Sequence, residues 1–539
     1  MAGPYHVEPF AADERSVLGR HVTTLSGPAF VLTELPEATR AALFARYSRS
    51  PKSLRRLLLD EFIADPARAG DGTEREAVRV GEERAADLFS RVLSEYGDDS
   101  VAQLAGVHLA CEQVSQLLAK AIEWGRLAGY LEQSTRYIPY TDRRDGHYRW
   151  FRDPDVLGDA QLGPVFEQAM DGLFDTYCAL LDPLREHLDR TLPQQEDAPA
   201  RRRALRALSL DLLRGLLPAG TVSNVGVFAS PQGYEALVMR LRAHPLPEAQ
   251  RYAELILAEL RKVIPDFLTR LDRPDRGGAW VDYLRDTEAG LRRAAQDAVG
   301  GMHLDAALVG GDGVRLLEWD DAAEDRIIAA ALYPHTHLPA DALLDLVHGL
   351  PEARREELFA AAVGERGNRR HRPGRAFEHA MYTFEVASDY GAFRDLQRHR
   401  MLTIQWQELT PMLGCSVPRE VEEAGLGDRW REAVGRAEAA YGRLLPRFPQ
   451  QAQYLVTLGH RLRYLIRLNA REAMHMIELR TSPQGHAHYV RVCREMHRLI
   501  RDQAGHRMVA EAMRFVGAED VHLPRYAAEA GRRTPAPAD

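Results

Sequence analysis

Two guanidinium groups flank one imidazole in Arg398-His399-Arg400, inside the run Arg394-Asp395-Leu396-Gln397-Arg398-His399-Arg400-Met401. The planar arginine fork suits bidentate contact with phosphate or carboxylate. Taken alone, the triplet also describes a solvated basic turn, because this chain draws nearly all its positive charge from arginine and has lysine only at 52, 120 and 262. Two further runs could do chemistry beside it. Glu132-Gln133-Ser134-Thr135-Arg136-Tyr137 combines hydroxyls with a fixed cation, and phosphate recognition needs directed donors together with charge. Asn469-Ala470-Arg471-Glu472-Ala473-Met474-His475-Met476-Ile477-Glu478-Leu479-Arg480 reads as a helix. On it Asn469 and Arg480, about three turns apart, project from nearly the same side, and Arg471 and His475 form an i, i+4 pair facing roughly the other way. Arg214, in Leu213-Arg214-Gly215-Leu216-Leu217-Pro218, reads by itself as a helix-end cation facing the helix dipole.

Arg375-Ala376-Phe377-Glu378-His379, then Tyr382-Thr383-Phe384-Glu385-Val386, lead into the Arg-His-Arg triplet without an evident gap. Together they resemble the flavin-dependent thymidylate synthases, in which Arg-His-Arg is followed by Ser-x-Arg-Tyr. Here the expected places hold Glu408, Thr410 and Pro411. The missing motif stands in the first part of the chain, at Ser134 to Tyr137, and there the place of Arg-His-Arg holds Trp124-Gly125-Arg126. The Asn469–Arg480 block resembles the family's C-terminal helix; its first-half match falls near Ser230-Pro231-Gln232, where those residues are gone. Arg214 resembles a further arginine that reaches the nucleotide, and its second-half place holds Gln453.

The resemblance implies a division of labour. The first half keeps Ser134, Arg136 and Arg214; the second keeps Glu378, Arg398, His399, Arg400, Asn469, Arg471 and Arg480. In the family each site is shared between subunits of a homotetramer, so a fused chain needs one wall from each half. Composite sites are expected, with the unused complementary site decayed, in a homodimer that forms a pseudo-tetramer of such domains. Glu132, Ser134, Thr135, Arg136, Arg214 and Arg480 would bind the substrate dUMP, Arg480 at its pyrimidine. Glu378, Arg398, His399, Arg400, Asn469, Arg471 and His475 would bind FAD. Arg480 and Arg398 would be the catalytic arginines, stabilising negative charge that develops on the uracil ring. The implied reaction is reductive methylation of dUMP to dTMP, with NADPH reducing FAD and 5,10-methylenetetrahydrofolate supplying the one-carbon unit. It needs neither a metal nor a cysteine nucleophile. Asp395 departs from the pattern, since the family commonly has Gln three residues before the triplet, and His371 is only an approximate counterpart of its flavin-contacting histidine. An acid near the substrate phosphate or ribose points to a changed substrate. The alternatives are therefore methylation of another pyrimidine nucleotide, or a catalytically inactive protein that binds nucleotide or flavin.

The elements that must position these residues read as mostly helix, with 3.6-residue periodicity closed by proline at Leu212–Pro218 and Ala433–Pro446. Strand-like runs at Ala29–Thr33 and Val314–Trp319 are each followed by a turn, a helix and a small-residue segment, which suggests an internal duplication. A glycine-rich break from Gly300 to Gly313 marks a boundary, the tail beyond about Ala528 reads as disordered, and Gln194 to Ala200 reads as an exposed loop. The fold class expected is α+β: two tandem thymidylate-synthase-like domains, helix-rich with small antiparallel sheets, spanning 1–305 and 306–527, and a tail at 528–539. Hydrophobic residues at 45% and charged residues at 27% fit a globular protein with full cores. No apolar run reaches the roughly 18 residues that span a bilayer, and the N-terminus lacks the apolar core of a secretory signal, so a cytoplasmic protein without membrane partners is expected. The four cysteines form no metal-ligating spacing. A net charge of −8 argues against a nucleic-acid partner, and Arg201-Arg202-Arg203 reads as a solvated run.

Overall fold

The computed structural model describes residues 8–47, 50–63, 103–195, 197–300 and 313–517. The expected boundary at 305/306 and the tail at 528–539 lie outside those residues. Within them, nine strands are assigned: β1 (Val107–Ser115), β2 (Ala128–Glu132), β3 (Arg143–Arg144), β4 (His147–Tyr148), β5 (Val222–Ala229), β6 (Gly313–Trp319), β7 (Met381–Asp389), β8 (Thr403–Trp406) and β9 (Arg461–Asn469). The chain forms two compact units, Met1–Glu112 with Leu127–Glu132 and Asn224–Gly301 in one, and Gln113–Arg126 with Gln133–Ser223 and Met302–Asp539 in the other. Much of the first sequence half, including Ser134 to Tyr137 and Arg214, thus packs in the same unit as the described part of the second half.

In the first unit, β5 is the central strand of a sheet ordered β1-β5-β2, antiparallel to β2 with Glu132 opposite Val225. Val225, Val227 and Ala229 alternate inward, the period-2 pattern of a half-buried strand. Helix Pro231–Ala243 leaves the sheet from an N-cap at Ser230, whose hydroxyl accepts from Gly233 N–H. Its Tyr234 hydroxyl donates to the carbonyls of Val107 and Val227 at 2.9 and 3.1 Å. The run Ala29–Thr33 is not a sheet strand. It follows Pro28, which has no N–H, and its backbone pairs only locally, through Thr23 N–H to Val31 O and Thr33 N–H to His21 O.

The second unit is built on a four-stranded antiparallel sheet ordered β6-β7-β9-β8. Leu462, Tyr464, Ile466 and Leu468 of β9 alternate into the core with Tyr382, Phe384 and Val386 of β7. Each of these two strands runs directly into a short helix capped by its own last residue. Asp389 caps Tyr390–Leu396 by accepting from Ala392 N–H, and Asn469 caps Ala470–Arg480 by accepting from Glu472 N–H at 2.8 Å. The helices therefore start at a fixed angle to the sheet, which is what aims their polar residues.

The expected duplication is written into the backbone hydrogen bonds of this unit. Gln116 N–H donates to Thr221 O as Tyr390 N–H donates to His460 O; Leu117 N–H reaches Ala219 O as Gly391 N–H reaches Leu458 O. Where the two copies meet, the bonds are reciprocal: Ala219 to Val456 and Gly220 to Tyr454 in one direction, Leu458 to Leu217 and Gly459 to Gly215 in the other. A 3₁₀ turn precedes the crossing in both copies, at Arg214–Leu216 and Gln453–Leu455. The crossing requires glycine: a Cβ on Gly459 would lie 3.0 Å from both Cys415 Sγ and Gly215 O. Gly459→Ala is accordingly expected to destabilise the fold by about 1–3 kcal/mol, the usual cost of overpacking, measurable by urea unfolding. An unchanged midpoint would mean the crossing has slack.

Arg201 is not solvated as its sequence context suggests. It is buried and donates to the carbonyls of Asp189, Leu192 and Pro193 while pairing with the Asp189 carboxylate, closing the turn before helix Ala198–Leu213. That helix starts inside the segment expected to be an exposed loop, capped by Asp197. No described helix is long and apolar enough to cross a membrane.

Candidate functional site

Arg136 follows the loop after β2, and its guanidinium is spent in three directions. Nε and Nη2 donate to the two Asp211 oxygens at 2.8 and 3.0 Å, Nη1 donates to the Tyr489 hydroxyl at 3.1 Å, and Nη2 also reaches Gln484 O at 3.0 Å. A residue from the Ser-x-Arg-Tyr loop is thereby joined to the chain that follows helix Ala470–Arg480. Its neighbours are similarly placed: Ser134 Oγ accepts from Arg136 N–H at 3.2 Å, and buried Thr135 Oγ1 accepts from Arg394 Nη1 at 3.3 Å. Burial opposes the charge on Arg136, but Asp211 outweighs it, and the pKa is raised further. Glu132 is buried at the end of β2 and belongs to the first compact unit.

Asp395 sits among cations from three chain segments. Its carboxylate lies 3.6 Å from Arg214 Nη1 and 3.7 Å from Arg480 Nη1. Burial favours the neutral acid, yet Arg214, Arg480, Arg398 and Arg136 together hold it well below the usual carboxylate range. Arg214 comes from the 3₁₀ turn at the crossing, is 3% exposed, and stands 3.5 Å from Asp211; its Nη2 has no hydrogen-bond partner among the described residues. Gly391 makes room for it, since a Cβ there would meet Arg214 Nη2 at 3.2 Å. Arg480 and Arg136 lie at 5.6 and 5.9 Å from the centre of the Tyr489 ring, within cation–π range.

The triplet itself is split by burial. His399 is buried and Arg398 and Arg400 on either side are exposed. Arg480 Nε can only donate, so His399 Nε2 accepts from it at 3.1 Å, and the remaining ring proton lies on Nδ1 and is donated to Glu472 Oε1 at 2.8 Å. Burial, then the charges of Arg480 and Arg372, keep His399 well below its ordinary pKa, so the ring is neutral. This chain of bonds fixes the Arg480 guanidinium next to Asp395. His475 stands edge-on to His399 at 5.3 Å and accepts from Arg372 Nη2 at 3.3 Å; burial pushes it down to about 4. Ligand atoms of His399, Glu472 and His475 lie within 4.8 Å of one another, close enough to suit a metal ion. Both nitrogens of His399 are already committed, and Arg372 and Arg480 supply the positive charge a cation would bring. The arrangement works as a hydrogen-bond relay.

Beside the relay, Arg471 donates from Nε to Pro373 O at 2.9 Å and pairs with Glu378 at 3.6 Å; Arg375 bonds the same carboxylate at 3.2 Å. Of the residues expected at the site, the structure brings Arg136, Arg214, His399 and Arg480 into one connected network, with His475 edge-on to His399; it pairs Glu378 with Arg471 and bonds Thr135 to Arg394. Asn469 corrects the helical projection drawn from spacing. It is the N-cap outside the helix, with Oδ1 turned back onto Glu472 N–H, because the first N–H groups of a helix have no intrahelical acceptor and take a side-chain one.

Several participants were not foreseen. Asp211, Arg394, Glu472, His486, His488 and Tyr489 carry no motif of their own. The one available signal was Asp211 three residues before Arg214, a helical i, i+3 ion-pair spacing. His486 accepts from His488 N–H and lies 3.7 Å from Asp211, with burial pushing its pKa down to about 3. His488 pairs through Nδ1 with Asp389; burial opposes that charge but Asp389 raises the pKa, and the buried Asp389 carboxylate is itself held below its usual range by His488. His399, His475 and His486 are thus neutral in the fold and titrate below the ordinary histidine value. Below about pH 6.5 the unfolded chain binds protons that the folded one refuses. Stability is therefore expected to fall as pH drops from about 6.5 toward the folded values, by up to about 1.4 kcal/mol per pH unit for each of the three. A flat urea-unfolding free energy between pH 7 and 5 would contradict this.

The places that match Arg398 and Glu132 in the opposite copies carry tryptophans. In the first copy Trp124 holds the place of Arg398, and in the second Trp406 holds the place of Glu132. The two indoles meet edge to face at 6.3 Å, with Phe393 5.3 Å from Trp406. Arg126 donates to Leu402 O and Thr403 Oγ1, at 3.2 and 3.1 Å. Aromatic contacts replace the charges there.

The sequence profile of the thymidylate synthase complementing proteins matches this chain twice, over residues 33–266 and 315–504. A UPF0159 protein of Chlamydia muridarum is 36% identical over 531 residues, covering 97% of this chain and 98% of that protein. A UPF0159 protein of Thermoplasma acidophilum is 29% identical over 522 residues, covering 91% and 97%. A flavin-dependent thymidylate synthase of a Mycobacterium strain is 28% identical over 178 residues, covering 33% of this chain and 66% of that protein. With two matched segments and a backbone whose hydrogen bonds repeat copy for copy, the chain belongs to the thymidylate synthase complementing protein family in a tandem, two-domain form.

Proposed function

We propose that the chain is a flavin-dependent pyrimidine nucleotide methylase that converts dUMP to dTMP with 5,10-methylenetetrahydrofolate and NADPH. The observation that carries this reading is the convergence of Arg136 and Arg214 from the first copy with Arg480 from the second on Asp395, Asp211 and Tyr489. In this reading Ser134, Thr135 and Arg136 hold the nucleotide from one wall. Arg480, fixed by His399 and Glu472, faces the pyrimidine from the other and stabilises negative charge on the ring as its C5 becomes nucleophilic. Glu132 and Arg214 complete the nucleotide side, and Arg398 acts with Arg480.

The second wall also suits an anionic dinucleotide such as FAD. Arg372 bonds His475, Arg471 stands four residues before it on the same helix, Arg398 and Arg400 flank His399 and are exposed, and the acids Glu378 and Glu472 are paired with Arg471 and His399. A bound flavin, reduced by NADPH, supplies the hydride of the reductive step. The chain's own residues position the reactants, and His399 enters as a neutral acceptor that orients Arg480. The active form is a homodimer making a pseudo-tetramer of domains, with one composite site per chain because the Trp124–Trp406 contact occupies the complementary place.

Yellow protein that forms dTMP from dUMP, and growth of a thymidine-requiring strain carrying the gene without thymidine, are the expected results. A binding stoichiometry of one dUMP per chain is expected by calorimetry; two per chain would remove the composite-site reading. Asp395 favours a second reading, methylation of another pyrimidine nucleotide, in which flavin is bound and reduced but dUMP is not consumed. Colourless protein that binds nucleotide and no FAD would identify a catalytically inactive binding protein.

A further inference from the structure

We infer that Asp395 is a built-in counter-anion that decides which ligands the arginine cluster accepts. Its carboxylate holds the position between Arg214 and Arg480, so the ligand group that faces it is uncharged and donates a hydrogen bond, and a phosphate dianion is excluded from facing it. The inference rests on the nucleotide-site reading above and adds a specificity-determining residue to it.

Three observations lead to this. First, the carboxylate lies at 3.6 and 3.7 Å from Arg214 and Arg480, inside ion-pair range but longer than a direct N–H···O bond of about 2.9 Å. It therefore neutralises both forks without saturating their donors; Arg214 Nη2 is buried with no hydrogen-bond partner among the described residues. Second, Asp395 is ionised at neutral pH despite being 8% exposed, because four arginines surround it. An incoming phosphate dianion would have to share those cations with a carboxylate a few ångströms away, in surroundings where charges are poorly screened. Third, the remaining arginine of the trio is also taken, since Arg136 is bonded at both Nε and Nη2 to Asp211. None of Arg136, Arg214 and Arg480 is without a carboxylate. An ionised carboxylate accepts hydrogen bonds and gives none, so the ligand atom facing Asp395 is a donor. A sugar hydroxyl and a pyrimidine ring N–H both qualify, which places the occupant among pyrimidine nucleosides, or among nucleotides whose phosphate lies elsewhere.

Calorimetric titration of the full chain with inorganic phosphate, deoxyuridine and dUMP tests this, comparing wild type with the near-isosteric Asp395→Asn. The expected result is phosphate affinity at least about tenfold higher in Asp395→Asn, with the dUMP-to-deoxyuridine affinity ratio rising by a similar factor. Phosphate affinity and ratio both unchanged, or lower, would overturn the inference. If neither protein binds deoxyuridine or dUMP while phosphate affinity still rises, the counter-anion stands and the nucleotide reading fails. Should Asp395→Asn not fold, Asp395→Gly prepared in formate carries the test. Formate and phosphate should each raise its melting temperature more than that of wild type, and an equal or smaller shift than wild type with either anion would overturn the inference.

Discussion

Arg136→Ala and Arg480→Ala are each expected to weaken dUMP binding at least about a hundredfold, roughly 3 kcal/mol, the scale of losing charge-assisted hydrogen bonds in a partly buried site. The two arginines come from different copies of the duplicated fold, and each is also part of the protein's own network. Arg136 bonds Asp211, Tyr489 and Gln484; Arg480 bonds His399 and flanks Asp395. Removing Arg136 leaves Asp211 with Arg214 as its charged neighbour and neutral His486 beside it, so the fold keeps partial compensation. Arg136→Lys separates charge from geometry: it restores the cation without the planar fork and should recover only part of the affinity. Arg398→Ala extends the test to the exposed flank of the triplet. Calorimetry on the purified variants, with unfolding measured alongside, decides the matter. Full nucleotide binding by Arg136→Ala or by Arg480→Ala would show that one copy suffices and would end the composite-site reading.

The second large effect is expected at Arg366 and Glu478, a pair in which each side chain is 1% exposed. Arg366 Nη1 and Nη2 donate to the two Glu478 oxygens at 2.8 and 2.6 Å, Nη1 also reaches Ala512 O, and Nε reaches His371 O. Truncating one partner of such a pair leaves a buried charge uncompensated, so Arg366→Ala should cost about 3–5 kcal/mol of stability. Replacing both residues by apolar ones of similar volume, as in Arg366→Met with Glu478→Leu, should return much of that loss. Glu478 lies two residues before Arg480 on the same helix, so the single variant should also weaken the site that Arg480 serves. Urea unfolding of the two single variants and the double closes the cycle. A double variant no more stable than Arg366→Ala would mean the pair's cost lies in packing and not in unpaired charge.

Much of the architecture is legible in the sequence. Strand β6 and the helices ending at the Leu213–Pro218 and Leu444–Pro446 breaks follow the periods and stop signals of the chain. The duplication was visible as two incomplete copies of one set of motifs, and it reappears as paired backbone bonds across the Gly215–Gly220 and Tyr454–Gly459 crossing. Ala29–Thr33 misled because a short apolar run has the same composition whether it joins a sheet or folds back on a neighbouring loop. Asn469 misled for a related reason. Asn469 stands just outside the helix, and an N-cap obeys local backbone chemistry and not the 3.6-residue period.

The sequence by itself determined the family resemblance, the complementary losses in the two copies, and which residue types were present to make an anion site. Those follow from local order along the chain, where spacing alone carries information. The tertiary structure decided which charges meet. Asp395 was a departure from a motif until it stood between Arg214 and Arg480, and Asp211 and Tyr489 had no assigned part until Arg136 reached both. Ion pairs and hydrogen bonds act within a few ångströms between residues hundreds of positions apart, and whether they form depends on how the helices and the crossing are packed. In this chain that packing sets two carboxylates among the arginines, and with them the charge the site presents to its ligand.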